Sequence, residues 1–257
     1  MSDPTEPVVR VERLDHGVVV ITLNRPAARN AINVELAAGL VAAIGAGQDA
    51  RCIVITGSDP AFCAGLDLRN LGTDKLSELP QFLAAIRNSV VPTIAAVNGP
   101  AVTGGFEITL SCDFIVASER AAFADTHTRV GVYPGPVLVD LPRRIGMAKA
   151  REMSMTGNFI DAATALRIGL ANHVVAHHDL LPLALDLAGA IAEQDPAMIA
   201  MMRRDWDETA ALPIREAHRR HYEIAVEAGF AGAGSETLRD NMGAVVSRAK
   251  AQKITGR

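Results

Sequence analysis

Apolar positions in the first half of the chain fall into short β-branched runs separated by one stretch of helical spacing. VVRVERL (8–14) and GVVVITLN (17–24) flank Asp15-His16 and predict an antiparallel hairpin. In VELAAGLVAAIGAG (34–47) the apolar residues recur at helical intervals, with Asn33 as N-cap and Gly45 or Gly47 near the end. RCIVITG (51–57) reads as a short buried strand, followed by a loop to residue 72 and a helix around 75–90. TIAAVNG (93–99) is the next strand; Pro100 and a pair of glycines lead into GGFEITLSC (104–112), predicted as a helix. DFIVASE (113–119) and AAFAD (121–125) are again strand-like.

From Pro136 onward the pattern turns helical. AREMSMTG (150–157), DAATALRIG (161–169), LLPLALDLAGAIAEQ (180–194) and a long amphipathic region (196–228) follow, with NHVVA (172–176) as the only strand. ETLRDNMGAVVSRAKAQK (236–253) predicts a terminal amphipathic helix. Strands first and helices later predict an α/β core with a C-terminal helical layer.

Composition sharpens this picture by exclusion. The 257 residues are 49% hydrophobic and 21% charged, enough for one sizeable core. A formal net charge of -4 supplies no cationic field for nucleic acid or an anionic membrane. The pairs Arg143-Arg144, Arg203-Arg204 and Arg219-Arg220 read as solvated helix faces. Three scattered cysteines without CxxC spacing suggest neither a disulfide framework nor a zinc site. The polar N-terminus lacks a signal-peptide pattern, and no run of about 18 apolar residues occurs, so a cytoplasmic protein is expected.

The candidate chemistry lies in two glycine-containing turns that each follow a buried strand: SDPAFCAGLDL (58–68) and NGPAVTGGFEI (98–108). In α/β folds, ligands bind at the carboxyl ends of strands. A helix starting at Gly104 leaves an N–H free there; a second N–H from the Gly65-Leu66 turn would complete an oxyanion hole. Neither GxGxxG, GxxxxGK[ST] nor GxSxG is present, which argues against nucleotide-dependent redox chemistry and serine hydrolysis. Glu107 stands one helical turn from Gly104 in an otherwise apolar run, where a carboxylate is costly unless paired or used.

Taken together, LNRPAARNAIN (23–33), IVITGSDPAFCAGLDL (53–68), AAVNGPAVTGGFEITLSCDFIVASERAAFA (95–124) and MTGNFIDAATALRIGLANHVV (155–175) resemble the crotonase superfamily, the enoyl-CoA hydratase/isomerase family. The resemblance implies a spiral of strand-strand-helix units over residues 1–195 and a C-terminal helical trimerisation region over 196–257. It implies assembly as a homotrimer or a dimer of trimers. It also implies an acyl-CoA thioester substrate, no separate cofactor and no metal. By position, the N–H groups of Leu66 and Gly104 become the oxyanion hole. Arg29, Ala31, Ala64, Gly65, Asp67 and Leu68 line the coenzyme arm, Arg29 as a phosphate partner, and Asp125, Pro134 and Gly135 lie on the acyl side.

The family's hydratases use two glutamates. Glu107 falls on the first, whereas FADTHTRVGVYPG (123–135) places His127 where the second is expected. Beyond Pro134 the family's AGG is replaced by Gly135-Pro136-Val137-Leu138, and the ending SRAKAQK departs from the usual aromatic, Lys-rich one. Histidine is a competent acid/base near neutral pH. Asp125, two residues back, would share its face on a continuing strand and fix its tautomer. Three outcomes fit: a hydratase with a Glu/His pair, a double-bond isomerase with one dominant base, or an acyl-CoA binder with little turnover.

Overall fold

The computed structural model of the chain describes residues 6–67, 69, 79, 81–229 and 243. The chain divides into two units, Met1–Pro196 and Ala197–Arg257.

The first unit is built on a six-stranded sheet. β1 (Val9–Arg13) and β2 (Val18–Leu23) form the expected antiparallel hairpin. β3 (Cys52–Gly57), β4 (Thr93–Val97), β6 (Phe114–Ser118) and β9 (His173–Val175) then add in parallel, giving the order β1-β2-β3-β4-β6-β9. Between β4 and β6 the chain forms the short strand β5 (Ala101–Val102), which belongs to a second sheet. Every residue of β3 and β4 is buried, as expected of strands covered on both faces.

Alternation divides the two faces. Val19, Ile21 and Leu23 of β2 pack into the larger core with α1 (Val34–Ala46) and α2 (Phe82–Arg87). Val18 and Val20 point to the opposite face, covered by Leu180, Ala184 and Ala188 of α8 (Leu180–Ala192). The Asn33 side chain caps α1 by accepting from Leu36 N.

The second sheet has three strands, β5-β7-β8, formed with β7 (Ala122–Ala124) and β8 (Ile160–Asp161). α3 (Gly104–Ser111) leaves β5 and is buried along its whole length. Phe106 of α3 and Phe123 of β7, both fully buried, have ring centroids 5.7 Å apart. Their contact fastens the helix bearing Glu107 to the strand that leads to Asp125; truncating either ring would cost about 3–5 kcal/mol.

α4 (His127–Val130), α5 (Val137–Ile145), α6 (Met147–Thr156) and α7 (Ala162–Arg167) complete this unit. The second unit contains α9 (Pro196–Thr209) and α10 (Ile214–Glu227). Arg204 and Arg220 join the two helices through Glu208 and Glu227.

Several expectations change. NHVVA is not the only late strand, since β8 lies inside NFIDAATA; two residues are too short for a periodicity to register. The amphipathic region 196–228 is two helices, because Pro213 cannot continue the first. Of the helix around 75–90, the described part is Phe82–Arg87, and the helix proposed for 236–253 lies outside the described residues apart from Gly243. Arg144 is not a solvated face: its guanidinium donates to Leu110 O and Cys112 O at the end of α3. The other two pairs contribute Arg204 and Arg220 to the ion-pair network.

Candidate active site

The loop after β3 is held from below by Asn30. This residue is fully buried with φ +56°, and its Nδ2 donates to Ser58 O, Ala61 O and Phe62 O at 2.8, 2.7 and 3.1 Å. Its Oδ1 accepts from Arg25 N at 2.8 Å. Further along, Ile32 N donates to Gly65 O and Asp67 N donates to Ile32 O, so Leu66 is gripped on both sides. The Leu66 N–H itself donates to no backbone acceptor among the described residues.

The Gly104 N–H is likewise free of any backbone acceptor among them, because it opens α3. The two groups are close: a Cβ built on Gly104 would stand 3.8 Å from Leu66 N. Thr103, just before the helix, adopts φ +46°, a genuine outlier for a β-branched residue. Its backbone is held there by a bond from Thr103 N to Ala124 O. Two neighbouring N–H groups without a backbone acceptor are what an oxyanion hole requires.

Glu107, buried on α3, accepts from Val137 N at 3.2 Å through Oε1. Burial raises its carboxyl above the ordinary range, against the opposing pull of the Val137 N–H and the His127 charge.

His127 does not continue the strand. β7 stops at Ala124, and His127 opens the short helix α4. The expected pairing with Asp125 nevertheless forms, because the Asp125 carboxylate folds over the turn. Its Oδ1 lies 2.6 Å from His127 Nδ1 and 3.4 Å from His127 N. Burial disfavours the charged imidazole, but the Asp125 hydrogen bond and the negative charges of Glu107 and Asp125 outweigh it and raise its pKa. Asp125 is lowered although burial works the other way, held down by His127 and by the nearby Ser154 hydroxyl.

A cavity of about 160 Å³ is lined by Ala64, Leu66, Thr103, Thr126, His127, Val130 and Val132; Glu107, Gly104 and Asp125 are not among these residues. Gly135 packs directly on Glu107. Pro134 is half-buried in the same segment. Arg29 is exposed and meets this region through its carbonyl, which accepts from Ala64 N at 3.0 Å. Ala31 is buried and its carbonyl accepts from the Arg25 guanidinium. Asp67 is held by Arg25 and Arg69. Leu68 lies outside the described residues.

Two alternative chemistries lose support on geometry. Burial pushes the Cys63 thiol up to about 12, and its Sγ contacts Asn30 O at 3.1 Å, which suits a structural role rather than a nucleophile. A relay of Ser118, His177 and Asp59 has both links at 3.1 Å. Ser118 is completely buried, however, and its hydroxyl also accepts from Arg120 N, so no nucleophile reaches a substrate there. Among the described residues no group of His, Cys, Asp and Glu could hold a metal ion.

A family model described as enoyl-CoA hydratase/isomerase matches residues 13–230. The chain belongs to the enoyl-CoA hydratase/isomerase family. Enoyl-CoA hydratase EchA19 of Mycobacterium tuberculosis is 36% identical over 236 residues, covering 86% of this chain and 88% of that one. Two solved enoyl-CoA hydratases of Mycobacterium smegmatis superpose on it. One has a TM-score of 0.83 at 29% identity, covering 95% of this chain and 97% of its own. The other has a TM-score of 0.73 at 38% identity, covering 88% and 100%. The mixed α/β architecture is therefore the crotonase fold expected from the sequence.

In this family member, several residues that shape the site carry little sequence signal. Arg25 and Asp67 are 42 residues apart, and nothing in either segment announces their contact. Asn30 is one polar residue in a loop, and the strained backbone of Thr103 leaves no mark on the pattern. Val130 and Val132 line the cavity, and their hydropathy beside a turn does not mark them as its wall.

Proposed function

We propose that this chain hydrates 2-enoyl-CoA thioesters, with Glu107 as the base for water, His127 as the proton donor to the α-carbon, and the N–H groups of Leu66 and Gly104 as the oxyanion hole. The observation that carries the reading is a cavity bordered by Ala64, Leu66, Thr103 and His127, beside two N–H groups without a backbone acceptor among the described residues, with His127 in electrostatic reach of Glu107.

The chemistry balances with these groups alone. Glu107 removes a proton from water as the oxygen bonds to the β-carbon. The π pair of the double bond shifts toward the thioester, whose oxygen takes up negative charge facing Leu66 N–H and Gly104 N–H. The electron pair then returns to the α-carbon, which takes the proton of His127 Nε2–H. Transfer of the proton held by Glu107 to His127 resets the site. An upward shift makes Glu107 a stronger base than an exposed carboxylate, and the upward shift of His127 favours the protonated imidazole that a donor needs.

Coenzyme A enters this scheme as part of the substrate, and Arg29, exposed beside the Ala64 segment, is its proposed phosphate partner. A homotrimer or dimer of trimers is the proposed assembly, with residues 196–257 as the trimerisation region. The exposed Trp206, Ile214, Tyr222 and Val226 support it. No helix among the described residues is long and apolar enough to cross a membrane. The cytoplasm is the proposed place of action, supported by three scattered, buried cysteines without CxxC spacing.

The reading is tested by mixing the protein with crotonyl-CoA and medium-chain 2-enoyl-CoAs and following the loss of conjugated thioester absorbance. Turnover is expected. Tight binding of every chain length without turnover would replace the enzyme by an acyl-CoA-binding protein. Conversion of a 3-enoyl-CoA to its conjugated isomer as the only reaction would make it an isomerase, which the hydratase names of the relatives described above do not favour.

A further inference from the structure

Asp125 is completely buried just beyond the end of β7, and its two carboxylate oxygens have unequal surroundings. Oδ1 meets His127 Nδ1 at 2.6 Å, a short charge-assisted contact, whereas the buried Oδ2 has no partner within hydrogen-bond distance among the described residues, with the Ser154 hydroxyl near the carboxylate. A buried carboxylate left half-satisfied is expensive, and an asparagine could serve the turn at lower cost. The backbone bond from His127 N is long, at 3.4 Å, so the turn does not explain the acid. The strong interaction is with the ring.

An ionised carboxylate only accepts, so its partner Nδ1 must carry hydrogen. That fixes Nε2 as the nitrogen without a hydrogen-bond partner among the described residues, on a ring that lines the cavity. Two charges act on this imidazole: Glu107 from α3, and Asp125 itself. Arg129, on the same short helix, is committed to Thr156 O and Asn158 Oδ1, while Lys149 and Glu152 of α6 pair with each other. Ser154 of α6 contributes a neutral hydroxyl near Asp125.

We propose that Asp125 is a positioning residue that holds His127 in one tautomer and one orientation, presenting Nε2–H to the substrate's α-carbon and stabilising the imidazolium until the proton leaves. The structural part stands on the Asp125–His127 geometry; its consequence for turnover rests on the hydratase reading.

The test follows the imidazole of His127 by ¹⁵N NMR of histidine-labelled protein, with the signal assigned by its disappearance in His127→Gln. In the wild type, His127 is expected to keep hydrogen on Nδ1 throughout, with Nε2 titrating above the reference value of about 6.5. In Asp125→Asn the midpoint should fall by at least about one unit and the two tautomers should mix. Asp125→Glu, which keeps the charge, should recover part of the shift. In parallel, Asp125→Asn should lower kcat roughly 10- to 100-fold with KM nearly unchanged, and its pH profile should move with the NMR midpoint.

A wild-type His127 that carries its hydrogen on Nε2, or titrates at or below the reference value, overturns the proposal even if Asp125→Asn does not fold. So does a folded Asp125→Asn with an unchanged His127 titration. The expected NMR result without any wild-type turnover would support the positioning role and sink the hydratase reading, so the two fail separately.

Discussion

Glu107 and Gly135 are packed so closely that a methyl group on residue 135 would stand 2.6 Å from Glu107 Oε1. Two positions further on, Val137 N donates to the same oxygen. Together these contacts aim the carboxylate, and the segment that replaces the family's glycine-rich turn is what aims it. Gly135→Ala should leave the fold intact, because a side-chain oxygen can move, but the carboxylate would be displaced. We expect kcat to fall about 10-fold or more, since a misplacement of about 1 Å can cost two orders of magnitude. Wild-type kinetics in a folded Gly135→Ala would show that this contact does not set the geometry.

Glu107→Gln removes the proposed base and keeps an oxygen for the Val137 N–H. The variant should retain wild-type stability in denaturant and lose hydration by about 10²- to 10⁴-fold. A residual rate close to wild type would remove Glu107 from the mechanism.

Gly65 occupies φ +90°, and a Cβ there would fall 1.9 Å from Thr103 Oγ1 and 2.9 Å from Val102 O. Neither neighbour can retreat freely, since Thr103 is already in a strained conformation. Gly65→Ala should therefore destabilise the protein by about 1–3 kcal/mol in urea unfolding and depress turnover by shifting the Leu66 N–H. Unchanged stability would mean the two segments separate easily.

Asp67 offers a prediction about pH. The Arg69 guanidinium, with the more deeply placed Arg25, holds its carboxyl well below the usual range, against the burial that would raise it. A depressed carboxyl contributes stability above its unfolded value of about 3.9, and that contribution is lost as pH falls through the folded value. Asp67→Asn should thus be less stable than wild type at pH 7, and the gap should narrow as pH falls below about 4. Thermal unfolding across this range measures it; parallel curves would contradict the ion pair's role.

The parts legible in the sequence were those governed by local pattern. The hairpin, the Asn33 cap, the strands that end at Gly57 and Val97, and Glu107 one turn into α3 all follow from periodicity and cap chemistry. Contacts that close over distance were not legible. The pairing of Arg25 with Asp67, the grip of Asn30 on the Ser58–Phe62 segment and the positive φ of Thr103 depend on which strands become neighbours. His127 lies between these cases. That it falls where the family's second glutamate is expected could be read from the sequence, whereas its place at the start of a helical turn, with the Asp125 carboxylate 2.6 Å from its ring, could not.

The most direct test of the central claim is the isotopic content of the product formed from crotonyl-CoA in ¹⁸O-labelled heavy water. Hydration through Glu107 and His127 predicts a 3-hydroxyacyl-CoA with one ¹⁸O at the β-carbon and one deuterium at the α-carbon, formed at a rate that collapses in both Glu107→Gln and His127→Gln. The label appearing in a free acid, or the same labelled product at an undiminished rate in either variant, would contradict it.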